Sequence, residues 1–439
     1  MAGGMPLPLL LALALVPQEL SREAMATDLE TLAREVTAQW SYLEDRREHF
    51  GVDVQRLVAD ELTALPESAT LEEFAVVLQR LLASFSDGHG HVAFDPPLPE
   101  PPRRWPFTLV EIAEGLAVAR SPVEGGPPVG ALWRATDGRP AEELWPAAQE
   151  LCVASTPGMR RRLALTRLGR CAASAAAFEF EDELGARVTL DLATLEAGDP
   201  RLAPPVEPAW SVDELAPGVA RLRIASFAMP DWRAWMDADQ AARDAMQVEV
   251  KAGIDALFEA LAAREPEALV LDLRGNGGGT DSLGIHFAEL LLPEPFVYFR
   301  LSALREGAWS EPHGFTYGEA EDLPRVVVPT VALIDAGCFS TTDNFLRALD
   351  VLHPDLTTVG RPTGAGTGAP RVLAVLPHSG ASVTLCTQRV YAPDGTLTEG
   401  RGTTPDVPVA WTCADLRAGR DPDVEAALTL LRARDLVRE

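Results

Sequence analysis

Apolar positions recur at helical spacing through residues 22–84. The segment "MATDLETLAREVTAQWSYLEDRR" sets Leu29, Leu32, Val36, Trp40 and Leu43 on one side of a helix. "TLEEFAVVLQRLLASF" repeats the pattern, with Thr70 placed to cap its start and Glu73 three residues on. The spacing predicts a small helical domain over 21–95, ending in the glycine-punctuated loop "FSDGHGHVAF" and a strand. The period then changes. "DPPLPEPPRRWP", residues 95–106, is a proline-rich linker. "FTLVEIAEGLAVARSP" reads as two strands about a turn at Glu114-Gly115. "GALWRATDGRPAEELW" reads as strand, Asp-Gly turn and short helix, and "AAFEFEDELGARVTLDL" as a hairpin. A compact β-rich domain over 103–197 follows, closed by proline-rich residues 198–210.

From 211 to 439 strands and helices alternate, the pattern of an α/β domain. "GVARLRIASF" is a strand and an amphipathic helix covers about 236–264. "ALVLDLRGNGGGTDSLGIHFAELLL" is strand, glycine loop, helix, and "RVVVPTVALIDAGCFSTTDNFLRALDVL" is strand, turn, helix. β-rich segments lead to Val409, and a last helix covers about 421–435. The whole predicts a multidomain α/β protein.

Composition narrows the chemistry. The chain is 439 residues long, 47% hydrophobic and 23% charged, enough for a sizeable core. Its formal net charge of −27 repels phosphate backbones and anionic lipid, so nucleic acid and membrane surfaces are excluded as expected partners. Lys251 is the single lysine, so a lysine base has one source. Cys152, Cys171, Cys338, Cys386 and Cys413 form no zinc-ligand spacing. The run from Pro6 to Val16 with Ala12-Leu13-Ala14 resembles a signal peptide over 1–20, which places the chain in the periplasm or outside the cell. No Lys or Arg precedes that run, which leaves a cytoplasmic start as the alternative. After export, Cys152–Cys171 and Cys386–Cys413 are conceivable bridges, with buried free thiols the other reading. No other run is long enough to span a bilayer.

Three segments carry candidate chemistry. Gly275-Asn276-Gly277-Gly278-Gly279 joins a buried strand to a helix. Thr280 stands where a dinucleotide fingerprint wants its third glycine, and no P-loop lysine follows. Backbone N–H donors for an oxyanion fit the loop, and so does a plain tight turn. Ser340 takes the same place one strand later, where it is either a nucleophile at a helix start or a cap. Cys338 and Thr342 flank it, so the α/β-hydrolase elbow is disfavoured. A serine nucleophile needs a base. His89 and His91 lie in a glycine loop after Asp87; they offer a base, an exposed turn, or a metal set with Asp87 or Asp95. Glu399, in "TLTEGRGTTPDVPV", is a candidate to orient the histidine.

Four motifs occur in one order: "FSDGHGHV", "LVLDLRGNGGG", "AGCFSTTDNF" and "LTEGRGTTPDVPV". Together they resemble the tail-specific, or C-terminal-processing, serine peptidase family, and within it the tricorn-core branch and the interphotoreceptor retinoid-binding modules. The resemblance implies a crotonase-like core of ββα units and a PDZ-like β-rich domain. In the lysine-using branch the base falls in a segment matching Thr363-Gly364-Ala365-Gly366, where this chain has Ala365. The tricorn-like branch instead implies His89 as base and Glu399 as its orienting carboxylate, with Thr341, Gly279 and Gly278 around the oxyanion. That branch carries a serine just before the histidine; here the residue is Gly88.

The expectation is a serine peptidase acting on a peptide or unfolded protein through Ser340, His89 and Glu399, with no cofactor or metal implied. The alternative is a non-catalytic ligand-binding module on the same fold; a metal hydrolase built on His89 and His91 is a third reading. Oligomeric state and end specificity are open from sequence.

Overall fold

The computed structural model describes residues 19–203, 208–305 and 307–437. The signal-peptide expectation over 1–20 falls almost wholly outside the described residues. Among those described, no helix is long and apolar enough to cross a membrane.

The N-terminal region is helical, as its periodicity predicts: α1 (Arg22–Gln39), α2 (Leu43–Phe50), α3 (Val54–Ala64) and α4 (Leu71–Phe85). The Thr70–Glu73 reciprocal cap forms at the start of α4. Leu29, Leu32, Val36 and Trp40 are buried, and Leu43 is half-buried. These helices do not close a core by themselves. They share one with Leu373, Val383 and Leu385 from the hairpin of strands Ala369–Val375 and Ser382–Tyr391. Strand His91–Ala93 pairs antiparallel with the second of these, His91 opposite Thr384. That pairing carries the loop before it, residues 86–90, onto the C-terminal half of the chain.

The β-rich region is a mixed layer of sheet and two helices. Strands Thr108–Ile112, Gly115–Arg120, Leu132–Thr136, Ala175–Glu181 and Arg187–Ala193 lie in that spatial order, with Thr108–Ile112 at one edge. Trp105, Phe107, Trp133, Phe178 and Phe180 fill its core. Its helices are α5 (Ala141–Glu150) and α6 (Pro157–Leu168). Helix α6 is absent from the periodicity reading because "PGMRRRLALTRL" is arginine-rich and shows little apolar face; only Ala164 in it is fully buried.

The remaining chain forms a six-stranded sheet in the order Trp210–Ala216, Val219–Ile224, Ala268–Asp272, Thr330–Ile334, Leu356–Gly360, Val407–Pro408. The first pair is antiparallel and the rest are parallel. The connections carry α7 (Trp232–Asp237), α8 (Gln240–Ala262), α9 (Asp281–Leu291) and α10 (Thr341–Leu352), followed by α11 (Cys413–Ala418) and α12 (Pro422–Ala433). Strands Ala268–Asp272 and Thr330–Ile334 are buried at every position, as a parallel sheet covered on both faces requires. Alternate residues serve two cores. Leu269, Leu271, Ala332 and Ile334 meet α8, α9 and α10, whereas Val270, Val331 and Leu333 meet α12. All five cysteines are free, so neither conceivable bridge is present.

Candidate active site

Two strand-to-helix turns of the parallel sheet lie side by side at the C-terminal ends of their strands. The first is the glycine loop, residues 273–280. Asn276 ties it down: its side-chain amide donates to Ile224 O at 3.0 Å and its Oδ1 accepts from Gly278 N at 3.0 Å. The second turn carries Ser340, the N-cap of α10 at φ 61° and ψ −125°. A non-glycine residue rarely holds positive φ, and such strain concentrates where a side chain must be aimed. Neighbouring backbone enforces it. Ser340 N donates to Ala365 O at 2.9 Å, and Phe339 N donates to Asn276 O at 3.1 Å.

The approach of the two loops depends on glycine. A Cβ on Gly278 would meet Phe339 O at 2.7 Å and Ser340 Cβ at 2.9 Å. Gly278, expected among the oxyanion donors, gives its N–H to Asn276 Oδ1 instead, so its contribution is close approach. Among the described residues, the N–H groups of Gly279 and Thr341 donate to no protein acceptor. They flank Ser340 from the two loops, where an oxyanion beside Ser340 would find two donors.

His89 reaches this point from the N-terminal half. Its Nε2 is 3.2 Å from Ser340 Oγ, and its ring packs on Phe339 with centroids 4.9 Å apart. Its Nδ1 faces Cys386 Sγ at 3.7 Å. Cys386 Sγ donates in turn to Asp87 Oδ1 at 3.2 Å. Burial and the Asp87 and Glu399 charges push this thiol up, so it stays protonated. Asp87 also accepts from His89 N at 3.1 Å, Cys386 N at 3.0 Å and Trp40 Nε1 at 2.8 Å.

Glu399, expected to orient His89, makes no hydrogen bond with the imidazole among the described residues. It is fully buried and accepts from Ser155 Oγ at 2.6 Å, Arg46 Nη2 at 3.0 Å and Gly368 N at 3.2 Å. Arg46 is itself fully buried and also donates to Ser86 O at 3.1 Å. Ser155 Oγ accepts from Gly88 N at 2.7 Å. Two further carboxyls sit beside the nucleophile. Burial pushes Asp281 up, against hydrogen bonds from Thr341 and Asn344. Burial raises Asp343 to about 6, opposed by the Thr363 hydroxyl and Arg347 and reinforced by the Glu399 charge.

His91 lies exposed on its strand, away from any ligand set. Asp87, His89 and Cys386 do bring donor atoms within 4.8 Å of one another. The Asp87 oxygens and the Cys386 thiol are engaged in the hydrogen bonds just described, so the cluster reads as a cradle for the ring. Ala365 packs directly on the nucleophile's backbone, and at that position an alanine supplies no base.

The sequence assigns no role to Ser155 or Arg46, and it offers Asp87 only as a possible metal ligand and Cys386 only as a bridge partner or a buried thiol. Asp87 carried a signal, two residues before His89. The other three meet the site only through contacts spanning large stretches of chain.

The class of protein to which the family match points is a serine-type peptidase. Residues 218–409, somewhat under half of the chain, match the family model described as peptidase family S41. Among solved structures, mature CPAF is similar at a TM-score of 0.76 and 14% identity, covering 94% of this chain and 98% of that one. CPAF complexed with lactacystin is similar at 0.75 and 13%, covering 93% and 97%. At that identity the likeness shows the fold alone. No curated protein sequence matches the chain.

Proposed function

We propose that this chain hydrolyses peptide bonds with Ser340 as nucleophile, His89 as general base and then acid, and Gly279 and Thr341 N–H as oxyanion donors. The observation that carries the reading is the 3.2 Å approach of His89 Nε2 to a serine held at positive φ. Cys386 supports the assignment of the proton. Its S–H is directed at Asp87, so its sulfur accepts from Nδ1–H. That tautomer leaves the Nε2 lone pair free for the Ser340 hydroxyl. Attack transfers the hydroxyl proton to Nε2. Collapse of the tetrahedral intermediate returns it to the leaving amine, and water repeats the sequence to release the acyl group. Each oxyanion donor contributes on the order of 10²–10³ in rate.

We also assign a crotonase-like character to the core and a PDZ-like character to the β-rich region. The repeated strand-to-helix units of the parallel sheet support the first. An edge strand, Thr108–Ile112, beside α6 supports the second, with a cavity of about 390 Å³ lined by Phe107, Leu109 and Leu165. A peptide extended along that edge would find backbone partners and apolar pockets.

The test is labelling by a serine-directed fluorophosphonate alongside hydrolysis of a fluorescent casein digest. Wild type is expected to label and cleave, Ser340→Ala to do neither, and Lys251→Ala to match wild type. Equal labelling of Ser340→Ala would remove Ser340 from the reaction. A tenfold loss in Lys251→Ala would restore a lysine base. Stable binding of apolar ligands with no labelling would favour the binding-module alternative.

A further inference from the structure

We propose that Ser155, a residue of the β-rich region, is a positioning residue for His89, joining the Glu399 carboxylate to the Asp87–Gly88 peptide, one residue before the imidazole. The inference rests on His89 acting as base. Among the described residues Glu399 and His89 share no side-chain hydrogen bond, yet two hydrogen bonds connect Glu399 to Gly88, the residue before His89. Ser155 Oγ donates to Glu399 Oε1 at 2.6 Å and accepts the Gly88 N–H at 2.7 Å. A serine hydroxyl has one proton to give, and here it goes to a buried carboxylate, the stronger kind of hydrogen bond. Ser155 is 2% exposed, so no water competes for either bond.

Sterics point the same way. A Cβ built on Gly88 would meet Ser155 Oγ at 2.7 Å, so the hydroxyl fills the space a side chain at 88 would take. A Cβ on Gly90 would meet Val153 Cγ1 at 2.8 Å. One short segment therefore packs against the chain immediately before and immediately after His89. That segment is unusual for a connection between helices. Every residue from Cys152 to Thr156 is less than 9% exposed, where loops ordinarily run over the surface. It is held at both ends: Gln79 Nε2 donates to Leu151 O at 2.9 Å and Thr156 Oγ1 donates to Thr363 O at 3.2 Å. The α5–α6 connection is thus a wedge between the N-terminal helices and the core, with Ser155 at its tip. Histidine alignment then depends on this wedge being seated.

The experiment uses the full chain with a peptide substrate. Ser155→Ala is expected to lower kcat about ten- to a hundredfold, the scale of a misplaced catalytic group. KM should hold within twofold, and the fluorophosphonate labelling rate should fall in step with kcat. Ser155→Thr keeps the hydroxyl and is expected to recover most of kcat. In the Glu399→Gln background Ser155→Ala should cost little more, because the two act along one path. Ser155→Cys, with similar volume and a weaker donor, is expected between serine and alanine. Wild-type kcat in Ser155→Ala overturns the proposal; if that chain does not fold, wild-type kcat in Ser155→Cys does so. Additive losses with Glu399→Gln, or a rise in KM at constant kcat, also overturn it. Cleavage by Ser340→Ala would sink the peptidase reading itself, whereas an inactive Ser340→Ala beside an unaffected Ser155→Ala sinks this inference alone.

Discussion

Ser340 is fixed by its own sheet. Its backbone partner is Ala365, its neighbour Phe339 hangs on Asn276, and the approaching loop starts from the adjacent parallel strand. His89 is fixed by everything else. Its ring answers to Cys386, the Gly88 N–H one residue before it to Ser155, and the carboxylate behind Ser155 to Arg46 in α2. The nucleophile half is therefore a product of local strand-turn-helix geometry. The base half is a product of three regions of the chain meeting. A rigid local turn can store the strain of positive φ at Ser340, because packed strands over-determine it. The histidine loop has no such scaffold, and its alignment is as secure as the contacts between regions.

The largest effect should come from breaking the base half at its most distant support. Arg46 and Glu399 are both fully buried, and removal of one partner leaves a charge without compensation. Arg46→Met is expected to destabilise the chain by about 3–5 kcal/mol, measured by urea unfolding, and to lower kcat as the Glu399 loop relaxes. A double variant with Glu399→Gln should recover part of the stability while leaving kcat low. If Arg46→Met folds as stably as wild type, the base half is not held from α2.

The same division governs what could be read from sequence. The helices of 22–84 and the strand-turn-helix units around Gly275 and Ser340 announce themselves, because local period and turn chemistry decide them. His89 and His91 stand out together in their glycine loop, and only the resemblance to the tricorn-like branch singles out His89 as the base. The support of His89 was not legible. Nothing local marks Ser155 as a partner of Glu399, 244 residues away. The Thr156-Pro157 start of α6 was present as a cap signal, with Thr156 Oγ1 accepting from Met159 N, but the helix behind it lacks the apolar stripe that flags a helix. Gly278 shows the limit from the other side. Its residue type is informative, yet its N–H, expected around an oxyanion, donates to Asn276 Oδ1 instead.

Gly278 also offers the matching break in the nucleophile half. It sits at φ 97°, and a Cβ there would press on Phe339 O, Ser340 Cβ and Thr341 N, all at 3.0 Å or less. Gly278→Ala is expected to push the glycine loop off the Ser340 turn, misplacing the Gly279 donor and lowering kcat on the order of 10²–10³. The His89 ring meets the displaced turn through Phe339 and Ser340 Oγ, while its backbone is held from Asp87 and Ser155, so its ring resonances in NMR should move only slightly. A large displacement of the His89 signals would show that the two halves are coupled more tightly than these contacts indicate.

The smallest effect tests where the halves meet. Asp343 lies three residues after Ser340 and hydrogen-bonds Thr363 and Thr403, the latter on the loop that carries Glu399. It is fully buried, and among the described residues its Oδ2 has no partner. Burial raises it from 3.8 to about 6. A carboxyl raised on folding contributes stability in acid, fully present below its unfolded value and lost as pH rises through its folded one. For Asp343 the loss runs from about pH 4 to just above 6, and the gap corresponds to a few kcal/mol, on the order of 3. Ionised at pH 8, this group therefore opposes folding. Asp343→Asn is expected to raise the melting temperature at pH 8 by several degrees, with the gain shrinking towards pH 5. Other carboxyls titrate over the same range, so the quantity to measure is the difference between variant and wild type at each pH. A difference that stays constant from pH 5 to pH 8 would mean that Asp343 does not titrate in that range, and that burial beside the Glu399 loop does not hold its carboxyl near 6.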